Sequence, residues 1–220
     1  MVIDWGWILD HLDDIAAAVW GHIVLTAIPL AVGFVVSLGL AIWAIRKPWA
    51  YGPVTAITGV LYTIPSLAAF ALLVPVFGFS MLAAFIPLTT YTLLILFRNI
   101  VAGFQGVPPE VLEAADAMGY RPRERLLRVE IPLAVPLMIT GVRLAAVTLI
   151  GLATVASILG SSFGGLGQLI TEGLQTFFPT KYVLGAVLSV LLAFAVDFLL
   201  VRLERAVTPW SRARAEVGKP

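Results

Sequence analysis

The sequence predicts an all-α integral membrane protein with five transmembrane helices, and three observations support this fold class. Apolar residues make up 60% of the 220 residues, charged residues only 12%, and the mean hydropathy is +0.99. A soluble domain carries roughly a quarter charged residues. The apolar residues form runs long enough to cross a bilayer, and the basic residues cluster between some of these runs but not others. Most of the chain is therefore expected to contact lipid or other apolar helices.

The first three spans follow from uncharged runs. Ile23–Ile45 has 23 residues without a charge, which is enough for one span. Lys47 and Arg98 then enclose 50 uncharged residues. As one helix this run would measure roughly 75 Å against a hydrocarbon core of ~30 Å, so it must fold back. Glycine and serine interrupt the run at 77–80, which predicts span two over 54–76 and span three over 81–101.

The second half of the chain predicts two more spans. Span four begins after Pro132 and ends near Leu159, and span five covers 182–202. The connection Gly160–Thr180 is rich in glycine and serine and has a helical pattern around 166–177. Residues 19–203 thus form the transmembrane domain, and 204–220 form a basic tail.

Charge distribution predicts the orientation. Five spans put the termini on opposite sides, and the cytoplasmic side carries the excess of lysine and arginine. One side would hold only Lys181. The other would hold twelve of the 14 basic residues: Arg46, Lys47, Arg98, Arg121, Arg123, Arg125, Arg128, Arg202, Arg205, Arg212, Arg214 and Lys219. The N-terminus is therefore expected outside, and the loop 105–132 and the C-terminus in the cytoplasm.

The N-terminal residues 1–18 are expected to form an external amphipathic segment. Apolar residues such as Ile8, Leu12 and Ile15 recur at helical spacing, and Trp5 and Trp7 suit a membrane interface. The alternative is a loose acidic tail.

The loop 105–132 predicts two short helices. Pro109 suits the first turn of a helix, and Gly119 suits the left-handed residue that ends one, which gives a helix over 109–118. Pro122 starts a second helix, which should stop before Pro132. A separate motor protein can drive a membrane protein only through a rigid protruding element of this kind.

Side chains of the first loop helix suit contact with a partner protein. Ala114 and Ala115 are small enough to enter a groove, and Glu113 and Asp116 can meet basic groups there. The alternative is a solvated amphipathic loop. In that case, Arg121, Arg123, Arg125 and Arg128 would lie near anionic lipid headgroups.

The spacing of this loop resembles the EAA loop of type I ABC importer permeases. The matching residues are Glu113-Ala114-Ala115, Gly119 at its spacing, and the closing Val129-Glu130-Ile131-Pro132. The resemblance implies the type I ABC importer permease fold and a loop that docks in a cleft of a cytoplasmic ATPase subunit. It assigns the ATPase-coupling role to Glu113, Ala114, Ala115, Asp116, Gly119 and Pro132.

Three further stretches resemble the permeases of osmoprotectant importers, which move glycine betaine, choline, carnitine and related quaternary amines. They are Tyr62-Thr-Ile-Pro65-Ser-Leu, Phe97-Arg98-Asn99-Ile100 and Gly164-Gly-Leu-Gly167, within a resemblance that covers roughly residues 20–203. One departure is Ser161-Ser162-Phe163, which looks like a short insertion before the glycines.

This resemblance implies a set of partners in a bacterial inner membrane: cytoplasmic ABC ATPase subunits, an external substrate-binding protein, and a second permease, either an identical copy or a similar chain. The chain has no phosphate-binding Gly-x-x-x-x-Gly-Lys-Ser/Thr loop, so ATP and Mg²⁺ are expected on the ATPase, and this chain is expected to be neither an enzyme nor a cofactor carrier. The absence of cysteine and a net charge of +1 give no reason to expect a thiolate metal site or a nucleic-acid partner.

Other functions remain open. The cargo could be another small zwitterion or an amino-acid derivative. An ion-coupled secondary carrier would need buried acids and inverted repeats, and only Asp197 is a candidate acid.

Two features inside the predicted spans are candidate sites. Arg143 and Asp197 are hypothesised to pair in the cytoplasmic half of spans four and five, as part of the pathway or as a lock between these spans. Pro65 interrupts span two, and with Thr63 and Ser66 it is a candidate for the pathway wall. Plain kinking of the helix is the alternative.

Overall fold

The computed structural model describes residues 3–157 and 163–209, and the regular elements in these ranges are helices. A 3₁₀ turn, Pro48–Ala50, precedes α3, and a π turn, Leu126–Glu130, joins α7 to α8. Ser161 and Ser162 of the predicted insertion, and residues 210–220 of the predicted basic tail, lie outside the described ranges. The helices are α1 Trp5–Asp10, α2 Leu12–Arg46, α3 Tyr51–Thr63, α4 Ser66–Phe77, α5 Met81–Gln105, α6 Pro109–Ala117, α7 Pro122–Arg125, α8 Ile131–Ala156, α9 Leu166–Gln175 and α10 Pro179–Val207.

Four stretches of helix in the described ranges are long and apolar enough to cross a membrane: α2, α5, α10 and the continuous rod Pro122–Ala156 made by α7, the π turn and α8. In place of one helix over 54–76, Pro48–Thr63 and Ser66–Phe77 meet at an angle of 89°. Pro65 lacks the N–H that would bond the carbonyl of Leu61, and it forces Ile64 into extended backbone (ψ 127°). The sequence therefore contains the cause of this break.

Helix α2 begins earlier than the sequence pattern predicts. The expected start was Ile23, but the helix begins at Leu12 and continues without a break to Arg46. Asp13 and Asp14 lie in its first turn, where negative charge is favourable. The short helix α1 precedes it, and the backbone N–H of Asp4 donates to Thr180 Oγ1 at 2.9 Å, so the N-terminal segment is attached to the start of α10.

The prediction that the second loop helix stops before Pro132 is wrong. The helix that starts at Pro122 passes through the π turn directly into α8. In this turn Ile131 N–H bonds the carbonyl of Leu126, five residues back instead of four. The wider turn accommodates the ring and the missing donor of Pro132, which would disrupt an ordinary α-helical turn.

Close packing places α5 at the centre of the bundle, between α2 and α8. A Cβ atom built on Gly141 of α8 would lie 2.6 Å from the Cβ of Asn99 on α5, so only glycine permits this approach. The Asn99 amide in turn donates to the Ile95 carbonyl at 2.8 Å. Small residues at such crossings are how membrane helices pack, because lipid provides no hydrophobic force between them.

Replacing Gly141 with valine is expected to destabilise the purified chain by about 2 kcal/mol, because the added carbons overpack the contact with Asn99. Thermal unfolding in detergent measures the effect. Gly151→Val is the matched control, since it lies on the same helix with no atom within 4 Å of the added Cβ. Equal loss in both variants would contradict this account of the crossing.

His22 stabilises the packing of three helices at one end of the bundle. It is fully buried in α2, and its Nδ1 accepts from the backbone N–H of Leu166 at 3.2 Å. Its Nε2 lies 3.1 Å from the carbonyl of Ile150, so Nε2 carries the proton. One side chain thus connects α2, α8 and the start of α9. We call the end of the bundle with Arg46, α6 and α7 the basic end, and we call the end with His22 the opposite end.

Candidate functional site

The helix α6 at the basic end finishes in a Schellman motif. Gly119 has φ +80°, a left-handed conformation that glycine adopts at no cost. Tyr120 N–H donates to the Ala115 carbonyl at 3.1 Å, and Gly119 N–H donates to the Asp116 carbonyl at 3.0 Å. The predicted helix over 109–118 is therefore confirmed to within a residue, with Gly119 directly after it as the sequence predicts.

The faces of α6 differ in exposure. Ala115 is 1% exposed and faces the bundle, whereas Glu113 and Ala114 are exposed. The buried alanine lets the helix lie close against its own chain. Glu113 makes no hydrogen bond or ion pair within the described residues, so its carboxylate is available to another molecule.

Arg125 joins α6 to the base of the rod. Its Nη1 donates to Asp116 Oδ2 at 2.6 Å, and its Nε donates to Glu130 Oε1 at 2.9 Å. Asp116 lies on α6, Glu130 lies in the π turn, and the Glu130 side chain is only 14% exposed. Asp116, which the sequence suggested for contact with a partner, is thus already paired inside the chain.

A cavity of about 610 Å³ lies behind this loop, between it and the basic ends of α2 and α5. Leu112, Arg125 and Glu130 line it from the loop side, and Arg46 and Gln105 line it from the bundle side. Packing behind α6 is therefore incomplete. The Arg125–Asp116 ion pair is a side-chain link between α6 and the rod.

An ionic cluster lies on α8 and α10, two helices that are long enough to cross a lipid bilayer. Arg143 binds Asp197 through two parallel contacts, Nε to Oδ1 at 2.9 Å and Nη2 to Oδ2 at 3.2 Å. Its Nη1 lies 3.6 Å from Glu204 Oε2. The structure thus brings together the two residues that the sequence suggested as a pair, and adds a second carboxylate. The cluster carries one net negative charge.

The break between α3 and α4 positions the candidate pathway residues. Thr63 and Pro65 are exposed and Ser66 is half-buried. Thr63 Oγ1 donates to the Val60 carbonyl at 2.7 Å. The hydroxyl of Tyr91 on α5 donates to the Ile64 carbonyl and so fixes the bend against the central helix.

Lys181 ties three elements together at the opposite end. Its Nζ lies 3.0 Å from Glu172 of α9 and 5.4 Å from the ring centre of Trp7 in α1. Burial raises the pKa of Glu172, but hydrogen bonds from Gln168 and Lys181 and the charge of Lys181 outweigh this, so the pKa lies below its usual value. Glu172 is therefore charged at neutral pH and holds α9 to the start of α10.

Sequence reasoning missed three of these residues. Glu204 follows Asp197 by seven residues on the same helix face, and this spacing was a usable signal. His22, a single histidine in an apolar run, was a weaker signal. Nothing in the sequence distinguished Arg125 from Arg121, Arg123 and Arg128.

Comparison with known proteins identifies the kind of chain that has this architecture. Residues 33–209 match the family described as binding-protein-dependent transport system inner membrane component. Among curated relatives, the choline transport system permease protein OpuBB of Bacillus subtilis (strain 168) is 35% identical over 188 residues, 86% of each chain. The glycine betaine/carnitine/choline transport system permease protein OpuCB of the same organism is also 35% identical, over 188 residues and 86% of each chain.

A solved structure shares the fold. An inward-facing crystal form of the MetNI methionine ABC transporter contains a chain that superimposes with a TM-score of 0.77. The two chains are 26% identical, and the match covers 94% of this chain and all of that one. The helix order described above is therefore that of an ABC importer permease.

Proposed function

Because this chain belongs to the family of binding-protein-dependent transport system inner membrane components, a family of multi-pass bacterial inner membrane proteins, we propose that it is a permease for quaternary amine osmoprotectants. The permeases OpuBB and OpuCB, whose names specify choline, glycine betaine and carnitine, are similar to it along most of its length and support this substrate class. An external binding protein delivers the substrate, and cytoplasmic ABC ATPase subunits drive its passage. A small zwitterion or amino-acid derivative of another kind is the alternative cargo.

The proposed topology has five spans, with the α3–α4 pair as the broken second one. The N-terminus and α9 then face outside, and α6 and α7 face the cytoplasm, as the basic residues of the loop favour. One chain of five spans encloses too little space for a pathway, so the pathway forms between two permeases.

The exposed face of α6 is the observation that carries the coupling proposal. Glu113 and Ala114 are presented on a helix with a fixed C-terminus, and Arg125 ties this helix to a rod that reaches across the membrane. A partner that grips α6 therefore moves the rod with it. In this arrangement ATP-driven closure of two ATPase subunits draws two such helices together and changes the side on which the pathway opens.

The test is reconstitution of the chain with its ATPase and binding protein in proteoliposomes, with uptake of radiolabelled choline, glycine betaine and carnitine as the readout. Glu113→Lys is expected to lower ATP-driven uptake about tenfold, because a reversed charge opposes basic groups of the ATPase at close range. Glu113→Gln keeps the shape and loses only the charge, so its loss should be smaller.

Two controls complete the test. The variants must insert in the membrane at the wild-type level, and ATP hydrolysis stimulated by the loaded binding protein must fall together with uptake. Unchanged coupled uptake in Glu113→Lys would overturn the coupling role of α6. Uptake driven by an ion gradient without ATP would overturn the importer assignment as a whole.

A further inference from the structure

The break between α3 and α4 lies deep in the membrane. Tyr91, which donates to the Ile64 carbonyl at the break, lies near the middle of the transmembrane helix α5. Both helix ends at the break therefore lie near the bilayer midplane, where unpaired backbone groups are costly unless they line a wet or occupied space.

The end of α3 presents negative dipoles at this depth. Pro65 has no N–H for the Leu61 carbonyl, and the 89° bend takes the next donors out of line. The C-terminus of a helix carries a partial negative charge, which favours a nearby cation. Discontinuous membrane helices in transporters use such ends to hold cations.

An aromatic ring stands beside this helix end. Tyr62 lies in the last turn of α3 and is 39% exposed, whereas its neighbour Tyr91 is 4% exposed. The two rings meet edge to face, with centres 5.9 Å apart and planes at 75°. Tyr91 thus packs against one side of the Tyr62 ring and leaves part of that ring exposed.

We propose that Tyr62 and the carbonyl end of α3 form a transient binding site for the trimethylammonium group of the substrate inside the membrane. This inference rests on the proposed function. A trimethylammonium cation has no N–H, so it cannot be recognised by hydrogen-bond acceptors as an ammonium ion is. It can interact with an aromatic face and with carbonyl dipoles, which are the two groups that the break supplies.

The position of the site also fits a permease. A pathway site must bind weakly enough to release its cargo to the next compartment. One ring and one helix end provide a modest attraction, without a full aromatic cage or a carboxylate. Tyr62 is therefore a specificity-determining residue, and Tyr91 is a positioning residue that acts through it.

The experiment compares Tyr62→Phe, Tyr62→Leu and Tyr51→Leu in proteoliposomes that contain the ATPase and saturating binding protein loaded with choline. Tyr62→Leu keeps an apolar side chain but loses the aromatic face, so choline uptake should fall about fivefold. Tyr62→Phe keeps the face and should retain at least half of the wild-type rate. Tyr51 lies at the other end of α3 with the same exposed fraction, 39%, and its replacement by leucine should leave uptake near the wild-type rate.

Three outcomes separate the possibilities. A loss of choline uptake in Tyr62→Leu that is absent in Tyr62→Phe supports the site, provided that stimulated ATP hydrolysis stays at the wild-type level. Equal uptake in Tyr62→Leu and wild type would overturn it while leaving the importer assignment in place. Absence of ATP-driven choline, glycine betaine and carnitine uptake in the wild type would instead overturn the proposed substrate class.

Discussion

Replacing Arg143 with leucine is expected to destabilise the folded chain by about 3 kcal/mol, the largest loss of stability that we expect from one substitution here. Asp197 would lose two hydrogen bonds and Glu204 its neighbouring cation. The side chains of Arg143 and Asp197 are 30% and 40% accessible, but α8 and α10 are long and apolar enough to span a membrane, where exposed surface meets lipid rather than bulk water. Asp197 and Glu204 would then remain on α10 without the guanidinium that they share.

Thermal unfolding of the purified chain and its amount in the membrane both measure this loss. Arg202→Leu is the matched control, because Arg202 also lies on α10 but its guanidinium lies over the Phe198 ring, 4.8 Å from its centre. The triple variant Arg143→Leu, Asp197→Leu, Glu204→Gln removes every charge of the cluster and should restore stability. Persistent instability in the triple variant would contradict the pairing account.

The same triple variant distinguishes a lock from a transport site. A lock between α8 and α10 needs only mutual attraction, so a neutral cluster that folds should also support uptake. A pathway role would leave the triple variant folded but inactive. We expect the triple variant to recover both stability and uptake, because the charges of the cluster bind one another through most of their hydrogen-bonding atoms.

Replacing Arg125 with glutamine is expected to lower ATP-driven uptake about thirtyfold, equivalent to about 2 kcal/mol of lost coupling. The change removes the side chain that links Asp116 on α6 to Glu130 at the base of the rod. The Asp116 contact is exposed and contributes little by itself, but Glu130 is nearly buried and would lose its charged partner. The cavity behind α6 gives the released helix room to move.

The distinguishing measurement is the ratio of substrate transported to ATP hydrolysed. If Arg125 transmits motion, Arg125→Gln should bind the ATPase and hydrolyse ATP while uptake falls. Arg123→Gln removes an exposed arginine from the same short helix and should leave the ratio unchanged. An equal fall in both variants would indicate that the loop needs only its positive charge near the lipid headgroups.

The sequence predicted those parts of the fold that depend on local chemistry. Uncharged runs located the long helices, and the glycine at 119 and the proline at 109 located the ends of α6, because each acts on its own backbone. Pro132 was misjudged because the π turn before it depends on five residues together, which no single-residue preference expresses.

A candidate site was predictable only where a charged residue stands in an otherwise apolar part of the sequence. A charge in an apolar span has few possible partners, so the sequence alone suggests Arg143 and Asp197 as a pair. Arg125 was one of four arginines in a polar loop, and its two partners lie nine residues before it and five after it. Only the folded path of the loop selects it.

The continuity of Pro122–Ala156 has a mechanical consequence. These 35 residues form one lever about 50 Å long. Gly141, where α8 crosses α5 too closely for a side chain, lies roughly 29 Å from one tip and roughly 23 Å from the other, and this crossing can act as a fulcrum. A tilt of about 10° about this point displaces the tip beside α6 by roughly 5 Å and the far tip by roughly 4 Å in the opposite direction. A stroke applied at one tip would then reach the other tip reversed in direction and about four fifths as large.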